Sequence, residues 1–175
     1  MSRSASPAAP AWACRHGGRP GGLDESARRL SHEELAVARA LVAEGHQVRS
    51  VAEQRAARTA DLLACGTTVE VKSFLPGGGR RKPPSPQSVA NKLLDARGQG
   101  SVAVLWAVGS GLTQARARQG FAMFAARVAE EGAGRLRAAR VIGDGFDIRL
   151  RLAPAVAAPR PAPGSPRVRA PGVTH

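Results

Sequence analysis

Aromatic side chains are scarce in this sequence of 175 residues, and tyrosine is absent. Phenylalanine and tryptophan together make up only 3% of the chain. Small domains that bind single-stranded nucleic acids stack the bases on several aromatic rings. The scarcity therefore argues against a stacking platform of the RNA-recognition-motif or OB type. We expect Trp106, Phe121 and Phe124 to belong to the hydrophobic core instead.

Cysteine, histidine and long apolar runs are also in short supply. Two cysteines are too few for a disulfide framework. Four scattered histidines form neither a zinc quartet nor the histidine pair of a metal-free ribonuclease. No apolar run approaches the roughly 20 residues of a membrane span, and the N-terminus lacks the apolar core of a secretory signal. We therefore expect a protein that is cytoplasmic as encoded, with delivery to other cells left open.

Basic residues are abundant and acidic residues are not. The chain has 26 Lys and Arg against 13 Asp and Glu, a formal net charge of +13. Such an excess indicates a polyanionic partner, most simply a nucleic acid whose phosphates are neutralised on binding. Nearly all of these cations are arginines in an Ala- and Arg-rich sequence, so a compositional bias explains part of the charge. The charge supports nucleic-acid binding without proving it.

Composition divides the chain into one domain and two tails. Residues 1–28 and 153–175 are rich in Pro, Ala and Arg, have no periodicity, and are predicted to be disordered. Residues 29–152 are predicted to form the folded domain. Its pattern of apolar residues and turns predicts the order α-β-β-β-α-β-α-β-β, an α/β fold with a mixed sheet flanked by helices.

Helix starts are marked clearly. Ser31 followed by Glu34 is a capping-box pattern. Ser85 is a typical N-cap residue, and Pro86 after it suits the first position of a helix. Thr113 is a candidate N-cap for the longest helical pattern. The apolar run 101–107 is typical of a strand covered on both faces.

The most informative stretch is 60–72, where an Asp, a Glu and a Lys flank a predicted β-hairpin. A turn at Cys65-Gly66 pairs Asp61 with Glu70, and the strand period of two places Lys72 on the same face as Glu70. Opposed carboxylates repel unless a cation lies between them. The pattern thus predicts a divalent metal with oxygen ligands, beside an ammonium group. A solvated face carrying a salt bridge is the alternative.

These motifs in this order resemble the PD-(D/E)xK nuclease superfamily, whose fold is restriction-endonuclease-like. More narrowly, the chain resembles the CdiA-type toxin nuclease domain, the C-terminal tRNA-cleaving module of contact-dependent inhibition systems. The matching stretches are 34–41, 44–48, 58–61, 70–73, 88–91, 96–99 and 141–143. The chain departs from the family at Ala60, where a proline often precedes the metal-binding Asp.

The resemblance implies a role for each candidate site residue. Asp61, Glu70 and the backbone carbonyl of Val71 would bind Mg²⁺, or Mn²⁺, and Lys72 would position or help deprotonate the attacking water. Glu34 would reach the site from the first helix, although its capping-box spacing from Ser31 is a complete structural explanation for it. A side chain is not expected to do both fully. Glu53 could serve as the third acid instead, and Glu33 is expected to face solvent.

Further residues are candidates for contacts with nucleic acid. The loop after the catalytic strand carries three cations that could grip phosphate, or could be merely solvated. Ser88, Lys92 and Gln99 share one face of the next predicted helix, at spacings of four and seven. By resemblance, this helix would line the substrate groove, with Gln99 completing the site. The candidates are Arg80, Arg81, Lys82, Ser88, Asn91, Lys92 and Gln99.

The sequence therefore predicts a metal-dependent nuclease, with tRNA as the first substrate by resemblance and an immunity protein as a possible partner. A DNA endonuclease of the defence or repair kind is the alternative enzyme, because metal-assisted hydrolysis does not require a 2′-OH. A nucleic-acid-binding protein without catalysis is the alternative from another class. The oligomeric state is left open.

Overall fold

The fold is a single mixed sheet with helices on both faces. The computed structural model describes residues 20–53, 59–76 and 82–152. Within these ranges the strands are β1 (Gly22–Asp24), β2 (Gln47–Ser50), β3 (Leu62–Ala64), β4 (Thr67–Ser73), β5 (Val102–Trp106), β6 (Ala138–Gly143) and β7 (Phe146–Arg151). The helices are α1 (His32–Ala43), α2 (Pro86–Asp95) and α3 (Gln114–Glu131).

The seven strands lie side by side in chain order, β1 to β7. Strands β2, β3 and β4 form an antiparallel meander, and β4, β5 and β6 are parallel to one another. Strand β1 adds parallel to β2 at one edge, and β7 adds antiparallel to β6 at the other. The predicted α/β class and mixed sheet are confirmed, as is the predicted order of elements from α1 onwards.

The structure has one strand more than the sequence predicts. Strand β1 lies inside the stretch predicted to be a disordered leader, so the sheet starts at residue 22 rather than after residue 28. Three residues are too short to show the alternation by which a strand is predicted. The described residues do not include 1–19, the tail 153–175 or the loop cations Arg80 and Arg81.

Helix starts follow the sequence signals closely. The hydroxyls of Ser31, Ser85 and Thr113 each accept a backbone N–H from the first turn of the helix that follows. Such caps satisfy donors that have no partner inside the helix. The caps fix where each helix begins in the chain, and Glu34 lies in the first turn of α1.

Two apolar layers flank the sheet. Helix α1 covers one face, where Leu41, Leu62, Val69 and Val104 are buried. Helices α2 and α3 cover the other face, where Leu93, Leu105 and Phe124 are buried. Residues of β5 alternate between the two layers, as expected of a central strand covered on both sides.

An ionic cluster holds the C-terminal end of α1 on the sheet. Glu44 follows α1 and accepts from Arg140 of β6 and Arg149 of β7 at 2.5 and 2.7 Å. Asp147 accepts from the same two arginines. Because both ends of α1 are held, the position of Glu34 at the other end is fixed by the fold.

Candidate active site

A tight hairpin brings Asp61 next to Glu70. The turn between β3 and β4 is Cys65-Gly66, and both residues have positive φ, 48° and 82°. This is the two-residue turn whose twist matches that of the flanking strands. It pairs Leu62 with Val69, so the next step along the same register places Asp61 opposite Glu70, as the sequence predicts.

Asp61 is held by the backbone of both neighbouring strands. Its carbonyl accepts the N–H of Val51 at 3.1 Å, which extends the pairing of β2 and β3 by one residue. Its side-chain Oδ2 accepts the N–H of Val71 at 2.7 Å. The N–H and C=O of one strand residue point to the same side of the strand, so the Val71 carbonyl also faces the Asp61 side.

Glu70 is almost completely buried, with 2% of its surface exposed. Its Oε1 accepts from Lys72 Nζ at 2.6 Å, and the same Nζ lies 3.3 Å from Gln99 Oε1. Its Oε2 is buried and has no hydrogen-bond partner among the described residues. Burial raises the pKa of Glu70, and the hydrogen bond and charge of Lys72 only partly oppose that effect.

The ionised form of Asp61 is also disfavoured by burial. Burial raises its pKa to about 7, the Val71 N–H opposes this rise, and the negative charges of Glu70 and Glu34 add to it. A carboxyl with like charges around it binds protons or cations more strongly than one in water. The site therefore holds more negative charge than its own cations compensate.

Glu34 completes the capping box of α1 and also lies beside Asp61, to which Arg28 joins it; its role at the site stays a prediction. Its Oε2 accepts the backbone N–H of Ser31 at 2.7 Å, and the Ser31 hydroxyl accepts the backbone N–H of Glu34. Both oxygens also accept from Arg28, at 2.7 and 2.8 Å. Burial would raise the pKa of Glu34, but the hydrogen bonds from Arg28 and Ser31 lower it to about 2.

Arg28 is the site residue that the sequence did not reveal. Besides its two bonds to Glu34, its guanidinium donates to the Val51 carbonyl at 3.0 Å and lies 3.4 Å from Asp61 Oδ1. The Arg28 backbone N–H also donates to the Ser50 hydroxyl at 3.1 Å. Arg28 belongs to no motif and lies 33 positions before Asp61 in the chain, so no local pattern could have identified it.

Replacing Arg28 is expected to destabilise the fold. Arg28→Ala leaves Glu34 without its main partner, and the side chains of both residues are mostly buried. We expect the free energy of unfolding to fall by about 2–3 kcal/mol, because removing one partner of a buried ion pair strands the other charge. Urea unfolding measures it. The exposed neighbour Arg29 is the control, since Arg29→Ala should change stability by less than about 0.5 kcal/mol; equal effects would contradict the role of Arg28.

The raised pKa of Asp61 predicts that stability falls as pH rises. The pKa is 3.8 in the unfolded chain and about 7 in the folded protein. Between these values the folded state binds more protons, so the free energy of unfolding decreases with pH. Glu34 acts in the opposite sense at lower pH, because its contribution is present above pH 4.5 and is lost as pH falls towards about 2.

Thermal unfolding at pH 5 and pH 8 in EDTA tests this expectation. Wild type should lose more stability over that interval than Asp61→Asn, whose amide does not titrate. Parallel pH dependences for the two proteins would show that Asp61 has no raised pKa.

The residues predicted to bind nucleic acid are only partly gathered at the site. Gln99 contacts Lys72, but it does so from the turn after α2, which ends at Asp95. The helical face predicted to join Ser88, Lys92 and Gln99 therefore does not include Gln99. Ser88 hydrogen-bonds with Ser85, and Asn91 accepts from Gln87. Lys82 is exposed and Lys92 is half-buried, and neither makes a hydrogen bond or ion pair with a described residue. Glu33 is near His32, outside the site.

The oxygen atoms at this site fit a hard divalent cation. The unpartnered Glu70 Oε2, the raised pKa of Asp61 and the orientation of the Val71 carbonyl provide oxygen donors and uncompensated negative charge. Within the described ranges, no three His, Cys, Asp or Glu side chains form a metal-binding group. The candidate ligands are thus two carboxylates and one carbonyl. Glu53 is exposed, and its negative charge helps to raise the pKa of Arg28. It is not a third carboxylate of this group.

Fold and site together define a mixed α/β protein with a buried acidic cluster and an ammonium group at the strand β4. No protein-family model matches the chain, and no curated protein matches it in sequence. Among solved structures, the fold is similar to a chain of a CdiA-CT/CdiI toxin and immunity complex from Burkholderia pseudomallei. The TM-score is 0.44 with 14% identity, covering 74% of this chain and 98% of that chain. A similarity of this size has no bearing on substrate or reacting residues.

None of the helices within the described residues combines the length and the apolar character needed to cross a bilayer.

Proposed function

We propose that this chain is a metal-dependent nuclease that hydrolyses phosphodiester bonds. The observation that carries the proposal is the facing pair of Asp61 and Glu70 beside Lys72: Glu70 Oε1 accepts from Lys72 Nζ at 2.6 Å, whereas its buried Oε2 has no hydrogen-bond partner among the described residues. A purely structural ion pair would need one carboxylate, not two facing each other. Keeping both costs stability, so the arrangement is better explained by a cation that they bind during function.

In this proposal each side chain has a definite task. Asp61, Glu70 and the Val71 carbonyl would hold Mg²⁺ or Mn²⁺, which when bound polarises the phosphate and lowers the pKa of a water. Lys72 would orient the attacking water and stabilise the negative charge that develops on the phosphate oxygens. Gln99 would keep Lys72 in place, and Glu34 would add negative charge beside Asp61 while Arg28 holds it there.

For the substrate we propose tRNA first, in line with the resemblance of the motifs to CdiA-type toxin domains. The net charge of +13 favours any polyanion and does not separate RNA from DNA. On the same resemblance, we propose an immunity protein as a partner. Its surface should be acidic, because it would cover a strongly basic protein.

A cleavage assay tests the function. Purified protein is incubated with total tRNA, plasmid DNA and single-stranded DNA in Mg²⁺, in Mn²⁺ and in EDTA. We expect cleavage of tRNA that EDTA abolishes. Cutting of DNA alone would replace the proposed substrate by that of a DNA endonuclease. Binding of these polymers without cleavage in either metal would overturn the enzymatic function in favour of a binding protein.

A further inference from the structure

Part of the sheet has no helix over it on one side. Helix α1 contacts strands β1 to β5, whereas α2 and α3 lie on the opposite face, with contacts to β5 and β7. Val48 and Leu62 point towards α1. Their neighbours Arg49 and Leu63 point to the other side, where no described helix covers β1, β2 or β3. We call this side of the three strands the open face.

The open face is grooved and Arg49 lies at its centre. One groove of about 310 Å³ is lined by Gln47, Arg49 and Leu63, among others. A second groove of about 240 Å³ continues along Ser50 and Val51, and Arg49 also lines this one. Both grooves are lined by Arg49 and by Asp24, its partner in the pairing of β1 and β2.

The register of the strands connects this open face to the acidic cluster. Arg49 pairs with Leu63, and Asp61 lies two residues before Leu63, one residue ahead of β3. Asp61 continues the pairing of β2 and β3 opposite Val51, and its carboxylate turns to the Val71 N–H and to Arg28 at that end of the strands. Residues in this diagonal relationship lie about 7–8 Å apart at their Cα atoms. A chain lying along the open face would therefore run from Arg49 to Asp61.

The chemistry of Arg49 suits a phosphate. Its side chain is exposed and makes no hydrogen bond or ion pair with any described residue. Asp24 lies opposite Arg49 in the pairing of β1 and β2; the hydrogen bonds from Ser26, at 2.9 Å from its N–H, and then the charge of Arg49 lower the pKa of Asp24. A guanidinium presents donors in a planar fork that matches phosphate oxygens. Arg49 is exposed, and its guanidinium forms no hydrogen bond with a described residue, so its donors are open to a phosphate of a nucleic acid that approaches the proposed cleavage site.

We infer that the nucleic acid crosses the open face of β1, β2 and β3 to reach Asp61, and that Arg49 contacts one of its phosphates. This inference rests on the proposed nuclease function. It names the substrate path, which the predicted candidates on α2 and in the loop after β4 do not include.

Salt-dependent binding tests the path. The affinity for total tRNA is measured in EDTA from 0.05 to 0.3 M salt for wild type and three variants: Arg49→Ala, Arg49→Lys and Arg39→Ala. Each phosphate contact contributes about 0.7–0.9 to the slope of log K against log [salt]. Arg49→Ala should lower the slope by that amount and weaken binding about five- to eightfold at 0.1 M salt. Arg49→Lys should keep most of the slope.

Arg39 provides a matched control, because it is exposed on α1, on the opposite side of the sheet. Arg39→Ala should leave both slope and affinity at the wild-type values. The path is overturned if Arg49→Ala binds like wild type, if both arginines have equal effects, or if wild type binds no tRNA. Cleavage in Mg²⁺ is followed in parallel: binding that depends on Arg49 without cleavage would overturn the nuclease function and leave the path standing.

Discussion

Asp61→Asn is expected to reduce the rate of phosphodiester cleavage by about 10³-fold at saturating substrate. The amide keeps the shape of the side chain and can still accept the Val71 N–H, so the hairpin should be preserved. It removes the negative charge by which a divalent cation would be held. Loss of the several kcal/mol that a Lewis acid supplies corresponds to about this factor.

The stability of the same variant separates a catalytic effect from unfolding. A carboxyl whose pKa is raised by burial and neighbouring charges is costly to keep ionised at neutral pH. In EDTA at pH 8, Asp61→Asn should therefore unfold at the same temperature as wild type or higher. Added Mn²⁺ should raise the unfolding temperature of wild type and not that of the variant.

Asp95→Asn is the matched control, because the Asp95 side chain is exposed at the end of α2 and only its backbone carbonyl, which the substitution keeps, accepts from Gln99. It should cleave at the wild-type rate. If Asp61→Asn retained more than about a tenth of wild-type activity, Asp61 could not be a metal ligand.

Lys72→Met is expected to lower the rate at saturating substrate by about 10²–10³-fold, the usual cost of removing one group that stabilises transition-state charge. Methionine has a side chain of similar length without the ammonium. Lys72 Nζ lies 2.6 Å from Glu70 Oε1, so the variant also leaves a buried carboxylate without its cation. Stability in EDTA should therefore fall by about 3–5 kcal/mol.

Metal binding shows which role Lys72 has. If Lys72 acts on the reacting groups, Lys72→Met should still bind Mn²⁺, at least as tightly as wild type because Glu70 has lost a competing cation. Isothermal titration calorimetry measures that affinity and gel assays measure the rate. If Lys72→Met regained wild-type stability in Mn²⁺ and cleaved at the wild-type rate, Lys72 would be only a structural partner of Glu70.

Lys92→Met serves as the control for the loss of a lysine. Lys92 is half-buried on α2 and has no ion pair among the described residues. It should leave the rate at saturating substrate unchanged. A change confined to KM would fit its predicted contact with nucleic acid.

Local signals predicted the framework of the site accurately. The turn at Cys65-Gly66 sets the register of β3 and β4, and the register brings Asp61 to Glu70. The caps at Ser31, Ser85 and Thr113 mark the helix starts. Each of these features depends on residues within a few positions of one another, so a single sequence is enough to predict it.

Long-range contacts could not be predicted in the same way. Nothing near Arg28 in the sequence indicates that its guanidinium would join Glu34 to Asp61. The helical spacing that was expected to align Gln99 with Lys92 fails because α2 ends at Asp95, and Gln99 reaches Lys72 from the following turn. The position of Glu34 beside Asp61 follows from the packing of α1 against the hairpin, not from the capping box.

The sequence was thus sufficient for those parts of the protein whose energies are local: the hairpin turn, the helix caps, the alternation along β4 and the facing pair of carboxylates. Tertiary structure alone decided how much the charges are buried, which cation accompanies each one, and which side of the sheet is left open. Burial determines the pKa of Asp61 and Glu70, and burial depends on elements that lie far apart in the chain. The sequence shows which residues are acidic, but their pKa values depend on the groups that the fold places around them.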